Sequence, residues 1–482
     1  MRYILILVII SWSFNLNAQH EQKYYPVQDS IVQKKIETWQ GLKFGLLMHW
    51  GAYSQWGIVE SWSICPEEYG WCERKMGSNP RNYFDYKKEY ENLKNTFNPV
   101  DFDPALWAKA AKDAGMRYIV FTTKHHDGFC MFDSKYTDYK VTNPLCPFSE
   151  NPKANISKEI FNAFRNEGLW AGAYFSKPDW HHPDYWDPYY PPRDRHVNYS
   201  PAENPEKWQS FVDFTHNQVL ELVKDYGPID ILWFDGGWVA KESKSNILDW
   251  YEKNLDDSED GYLKNRAINQ DIRMDELVKK LRDIKKDIIV VDRAVEGPNQ
   301  NYLTPENQVP DSLLPFPWES CIISSGSWSW IKNPKYMTGA KAVHLLIDVV
   351  AKGGNLLLNI APGPDGKWDQ GAYELLKEIG SWMNINSEAI YDTHPFYPYK
   401  LGKMCFTEKK DNVYIHCLFE EKEIIPNELI IPIFDDKAIS SIELLGIDYN
   451  IEWEIFDKGL KIELPEKLSE KIKYAFVLKI KR

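Results

Sequence analysis

Asp235 ends the apolar run Ile231-Leu232-Trp233-Phe234 and is followed by Gly236-Gly237. A carboxylate so placed is desolvated on one side and open to a ligand on the other. The glycines let the backbone turn away sharply. Further carboxyls follow it in the chain: Glu306 in Leu303-Thr304-Pro305-Glu306, Glu319 in Pro317-Trp318-Glu319-Ser320, and Glu296 as a weaker third. Two carboxyls are what glycosidic bond cleavage requires. One attacks or supports the anomeric carbon, and the other protonates the departing oxygen. The acid needs a raised pKa, which an apolar neighbour such as Trp318 supplies. Spacing alone does not choose between Glu306 and Glu319. Taken singly, each has a plainer reading: a turn-capping Asp or a solvated Glu.

Other polar groups end other apolar runs. His49-Trp50, Lys124-His125-His126-Asp127, Tyr174 with Ser176, and Asp292-Arg293 all follow the same pattern. One such residue would be uninformative; their recurrence is the signal. Adjacent histidines on a strand point to opposite faces and rarely chelate one ion together, and there is no HExxH pattern. Hydrogen bonding to a sugar suits these histidines better than a metal.

The elements that must carry these residues alternate. Apolar runs at 44–50, 118–123, 170–176, 229–235, 287–292 and 355–360 are separated by helical patterns at 104–115, 156–168, 206–227, 275–286, 338–353 and 370–390. Strands alternating with helices give a parallel sheet covered by helices. Six or more such units predict an α/β fold with a (β/α)8-like barrel, whose C-terminal strand ends form the active site. No GxGxxG or P-loop follows a strand, so nucleotide binding is disfavoured. After residue 394 the pattern becomes short strand-like runs at 413–419, 428–434, 439–445, 451–456, 460–464 and 474–480, which predicts an antiparallel β-sandwich domain.

The chain has 482 residues and a formal net charge of −13, which argues against a nucleic-acid or anionic-membrane surface. Its 20 Trp, 28 Tyr and 22 Phe are a hint of sugar-binding faces, since sugar C–H faces pack on flat apolar rings. Met1-Arg2-Tyr3, an apolar run at 4–10 and a small-residue region ending at Ala18 read as a signal peptide. The expected division is therefore 1–18 signal, 19–394 catalytic barrel and 395–482 β-sandwich, in a secreted or periplasmic protein without membrane insertion of the mature chain. The seven cysteines are too sparse for a disulfide framework. Cys65 and Cys72 are close enough in sequence to pair, with buried free thiols as the alternative.

Four segments together resemble a known family: Phe44-Gly45-Leu46-Leu47-Met48-His49-Trp50-Gly51, Thr123-Lys124-His125-His126-Asp127-Gly128-Phe129, Leu232-Trp233-Phe234-Asp235-Gly236 and Asn355-Leu356-Leu357-Leu358-Asn359-Ile360. They resemble glycoside hydrolase family 29, the retaining α-L-fucosidases, in order over residues 35–395. The resemblance implies an exo-acting enzyme on fucosylated oligosaccharides or glycoconjugates, with no cofactor and no metal. It implies Asp235 as nucleophile and Glu306 as acid/base, with Glu319 as the alternative acid in a Trp-Glu motif. It further implies that His49, His125 and His126 bind sugar hydroxyls. Trp50, Tyr174 and Trp233 would shape the pocket, with Arg293 close by. Glu60 matches a substrate-binding Glu, and Trp328 would wall the methyl side of the sugar. A glycosidase for another 6-deoxy or galacto-configured sugar, and an inactive carbohydrate-binding protein, are the competing readings.

Overall fold

The computed structural model describes residues 23–67, 72–256, 266–420, 423–432, 439–456 and 459–482. The proposed signal peptide and most of the charge run Asp256-Asp257-Ser258-Glu259-Asp260, which reads as a solvated loop, lie outside the described residues.

Seven parallel strands form among the described residues: β1 (Phe44–Met48), β2 (Tyr118–Lys124), β3 (Trp170–Ser176), β4 (Ile231–Asp235), β5 (Ile289–Asp292), β6 (Glu319–Ile323) and β7 (Asn355–Asn359). They lie in the order β5-β4-β3-β2-β1-β7-β6. Alternate residues face opposite ways. Leu47, Tyr118, Val120, Tyr174, Ile231, Trp233, Val291, Cys321 and Leu357, from all seven strands, meet in one inner buried cluster. Their neighbours Leu46, Met48, Ile119, Phe121, Phe175, Leu232, Phe234 and Leu358 join the core beneath the helices. One strand face closing on itself while the other takes helices is a barrel.

The expected eighth strand is not a regular one. Residues 300–306 run between β5 and β6. Asn301 N donates to Val290 O (3.0 Å), Glu319 N to Leu303 O (2.8 Å) and Cys321 N to Pro305 O (3.2 Å). Tyr302 points into the inner cluster. Pro305 has no N–H to give a ladder, so the place is filled by bridges rather than a strand. Glu306 stands at the end of this segment.

The helices are α1 (Ser30–Leu42), α2 (Tyr83–Glu91), α3 (Pro104–Asp113), α4 (Ile156–Asn166), α5 (Pro205–Asp225), α6 (Lys244–Asp256), α7 (Met274–Ile284), α8 (Gly339–Ala351) and α9 (Gln370–Asn386). α1, α2 and α6 add to the six that the sequence pattern predicts. Asp29 caps α1 by accepting from Ile31 N (2.8 Å). That helix places Val32, Ile36 and Trp39 in the inner cluster, where they plug the N-terminal end of the barrel. The opposite end is left for the site. No helix among the described residues is long and apolar enough to cross a membrane.

The C-terminal region is antiparallel, as expected. β8 (His394–Leu401), β9 (Met404–Lys409), β10 (Asn412–Leu418), β12 (Ser441–Leu444) and β15 (Ala475–Lys481) make a five-stranded sheet, and β11 (Glu428–Ile431), β13 (Trp453–Phe456) and β14 (Gly459–Glu463) a three-stranded one. Val413, Ile415, Phe476 and Leu478 of the first pack on Ile431, Leu460 and Ile462 of the second, forming a sandwich core. β8 and β9 were not among the expected strands. Cys65 and Cys72 are separate free thiols, so the pairing alternative is not formed.

Candidate active site

The C-terminal strand ends surround a cavity of about 210 Å³. Ligand pockets for drug-sized molecules run to roughly 300–1,000 Å³, so this one suits a ligand near the size of a single sugar ring. Its floor is Leu47, Trp233 and Cys321, and its walls include His49, His125, Tyr174, Asp235, Arg293, Glu306 and Trp328.

The two carboxylates are tied by one cation. Arg293 Nη1 donates to Asp235 Oδ1 (3.0 Å), and its Nη2 pairs with Glu306 Oε2. Asp235 Oδ2 also accepts from Tyr174 Oη (2.6 Å), and His126 Nε2 stands 3.8 Å from it. Burial pushes the Asp235 carboxyl up, but Arg293, His126, Tyr174 and the Gly236 N–H outweigh it and hold the carboxyl well below the usual range. Asp235 is therefore an anion at any ordinary pH. Glu306 Oε1 accepts from Trp328 Nε1 (3.2 Å), and its side chain is 38% exposed, so it faces the mouth.

The histidines are neutral. Burial, the largest influence on each, pushes His49 down to about 4, His126 down to about 3, and His125 well below its ordinary value. His49 Nδ1 bonds Asn359 Oδ1 (2.9 Å) and His125 Nδ1 bonds Ser61 Oγ (2.5 Å), which leaves the far nitrogen of each ring for a ligand. His125, His126 and Asp235 bring three ligand atoms within 4.8 Å of one another. A dication there would have to share Asp235 with the Arg293 guanidinium, so the charge balance suits a neutral hydroxyl-rich ligand better.

Glu60 is buried in the wall and accepts from Ser329 N (2.8 Å). Burial pushes its carboxyl up to about 8; Ser329 lowers it, while Glu306 and Asp235 push it further up. It is thus a protonated carboxyl near neutrality, able to donate. The unfolded chain releases this proton near 4.5, whereas the folded chain keeps it to about 8. Stability therefore falls as pH rises through that window. Glu60→Gln should remove this loss: its melting temperature relative to the parent should climb between pH 4.5 and 8. A constant difference across that range would refute the assignment.

Two expected site residues lie elsewhere. Trp50 does not line the cavity. It follows His49, so it faces outward. Its Nε1 donates to Gly363 O (3.2 Å), and its ring packs against Phe97, Phe102 and Trp107. Glu319 begins β6, at the end of the strand away from the mouth, and is wholly buried below Trp233. The structure therefore brings Glu306, not Glu319, to Asp235. His126 sits just behind the cavity, packed among Trp62, Trp180 and Trp238.

Three wall residues were not anticipated: Trp62, Arg195 and Trp238. Arg195 packs over both indoles, 5.4 and 5.2 Å from the ring centres, and pairs with Glu67 (2.9 Å). Its carbonyl accepts from Trp180, Tyr185 and Trp238, which pins the long segment after β3 to the mouth. Trp62 lies two residues after Glu60, and Trp238 three after Asp235; that proximity was the available signal. Arg195 carried none.

A family model described as alpha-L-fucosidase matches residues 12–388. The chain is 26% identical to the plasma alpha-L-fucosidase of Homo sapiens over 474 residues, covering 93% of this chain and 90% of that one. It is 27% identical to the tissue alpha-L-fucosidase of Homo sapiens, covering 93% and 89%. Among solved structures, alpha-L-fucosidase isoenzyme 1 from Paenibacillus thiaminolyticus superposes with a TM-score of 0.72 at 29% identity, covering 94% of this chain and 99% of that one. The Thermotoga maritima alpha-fucosidase in complex with fucose shares the fold, with a TM-score of 0.70 at 24% identity, covering 95% and 100%.

Proposed function

The chain belongs to the alpha-L-fucosidase family of glycoside hydrolases, and from that premise we propose that it is an exo-acting, retaining α-L-fucosidase working through Asp235 and Glu306. The observation that carries this reading is the Arg293 guanidinium spanning an ionised Asp235 and a mouth-facing Glu306, across a cavity of one-sugar size. One fork reaching both carboxylates keeps them close, as a retaining pair requires.

Asp235 attacks C1 of the bound fucosyl residue while Glu306, carrying a proton, delivers it to the departing oxygen. Arg293 then stabilises the Glu306 carboxylate that results. In the second step that carboxylate takes a proton from water, which attacks C1 and releases fucose. Neutral His49 and His125 each hold a hydroxyl at the ring nitrogen that Asn359 or Ser61 leaves open, without placing a further cation beside the developing oxocarbenium charge. Trp233 and Trp328 offer flat faces to the C–H and methyl side of the ring. A cavity of one-sugar size lined below by Leu47, Trp233 and Cys321 supports action on a terminal residue. Residues 1–18 direct the chain out of the cytoplasm, to the periplasm or medium.

The test is release of 4-nitrophenol from its α-L-fucoside, and of fucose from fucosylated oligosaccharides, with the α-galactoside beside them. Proton NMR of the first product should show α-fucose. A β product would overturn double displacement, and silence on every fucoside would overturn the activity.

A further inference from the structure

Beneath the cavity floor lies a carboxyl that reaches no ligand space. Glu319 is fully buried, with Oε2 accepting from Tyr118 Oη (2.5 Å) and Oε1 from Trp233 Nε1 (3.3 Å). Trp233 itself lines the cavity. It lies two residues before Asp235 on β4, hence on the same face. Its ring stacks on Tyr174, with centroids 5.3 Å apart and planes 23° from parallel. The Tyr174 hydroxyl in turn donates to Asp235 (2.6 Å). Contacts thus run unbroken from Glu319 through Trp233 and Tyr174 to the carboxylate at the strand end.

We propose that Glu319 is a positioning residue for this reaction: it fixes the Trp233 indole by its N–H, and so sets both the floor under the sugar and the alignment of Tyr174 on Asp235. The proposal rests on the fucosidase reading for its kinetic test, though not for its structural one. A buried indole N–H needs an acceptor, and losing it leaves an unsatisfied donor and a ring free to tilt. On the cavity side the Asp235 and Glu306 carboxylates are already engaged by Arg293. Glu319 supplies the acceptor from the dry side, while Tyr118 holds its other oxygen. Trp39, stacked on Tyr302 at 3.9 Å, closes the space below. Burial raises the Glu319 carboxyl to about 7, with the donors around it, Tyr118 first, offsetting part of the rise. Near neutrality, a neutral amide is therefore a fair mimic of the side chain.

A double-mutant cycle tests the proposal. Glu319→Leu removes the acceptor, and Trp233→Phe removes the indole N–H while keeping an aromatic floor. Glu319→Leu is expected to lower kcat/KM about tenfold in the parent and hardly at all in the Trp233→Phe background, because contacting residues couple. Glu319→Gln should restore activity to within about threefold of the parent, since its amide oxygen still accepts. An equal loss in both backgrounds, or no loss in the first, would overturn the proposal. A structural readout stands independently of turnover and of whether Glu319→Leu folds. The indole N–H resonance missing from the Trp233→Phe spectrum should shift in Glu319→Gln more than any other indole resonance. If it stays in place, the proposal fails. An enzyme inert on all fucosides would instead sink the activity while leaving this resonance to report on Glu319.

Discussion

Asp235→Gly is expected to lower turnover of 4-nitrophenyl α-L-fucoside by roughly four to six orders of magnitude, the scale on which enzymes lose rate with their nucleophile. The loss comes from the missing attacking atom and from the charge balance around it. Arg293, Tyr174 and His126 all address the Asp235 carboxylate. Without it, Arg293 is left with Glu306 alone, and the developing positive charge at C1 has a guanidinium nearby in place of an anion. Glycine also opens a space beside the Tyr174 hydroxyl, into which azide fits. Azide should restore part of the rate and give β-fucosyl azide, because a single displacement on an α-fucoside inverts C1. A variant retaining more than about one per cent of parental activity, or one that yields the α-azide, would remove Asp235 from the nucleophile's role.

Glu306→Ala is expected to separate substrates by leaving group. A positioned general acid contributes about 10²–10⁴ in rate, and that contribution is needed most when the departing alkoxide is basic. Fucose release from an oligosaccharide should therefore fall by about 10³ or more, and the first step with 4-nitrophenolate, which departs unprotonated, by far less. The second step also loses its base, so the fucosyl-enzyme accumulates and a burst of 4-nitrophenol precedes a slow steady state. Azide then intercepts that intermediate. Two inversions give the α-azide, the opposite anomer from that expected with Asp235→Gly. Equal losses on both substrates would mean that Glu306 is not the acid. Glu319→Gln is the natural control: its carboxyl is sealed beneath Trp233, so no leaving-group dependence should appear there.

Much of this was legible in the sequence because strand ends carry a simple code. Apolar runs of the right length announced six of the seven parallel strands among the described residues, and the residues at or just past the strand ends include His49, His125, Asp235 and Arg293, which do line the cavity. The same code misleads by one residue. Trp50 follows His49 and turns into the helix layer. Lys124 lies just before His125 and pairs with Asp179 (3.1 Å) on the outer side, and Asp292, just before Arg293, pairs with Lys177 (2.5 Å). Asp127 accepts from Tyr90 (2.7 Å) and braces a turn. Polarity at a strand end therefore marks the right end of the barrel without saying which side of its wall. β6 was missed because Glu319-Ser320-Cys321 is too polar to read as a buried strand, and its carboxyl is satisfied by Tyr118 and Trp233, far apart from it in the chain. α1 escaped because only Val32, Ile36 and Trp39 of its thirteen residues are buried. Arg195 reaches the cavity from an aperiodic loop, where no pattern speaks for any residue.

The irregular segment at 300–306 divides the two proposed catalytic carboxyls between two kinds of backbone. On β4, a one-residue insertion would turn Asp235 to the opposite face, since side chains alternate along a strand. The proposed nucleophile and Tyr174, which bonds it, are thus indexed to the sheet and can change only by substitution. Glu306 sits on a seam with fewer ties, Cys321 N to Pro305 O (3.2 Å) and Asn307 N to Cys321 O (2.9 Å) on either side of it, so a residue gained or lost there breaks only these and moves the acid along the rim by about 3.3 Å. In engineering terms the barrel has a fixed jaw and an adjustable jaw. In the proposed reaction the sugar is read by the fixed one, and the group it is cleaved from meets the one that can be reset.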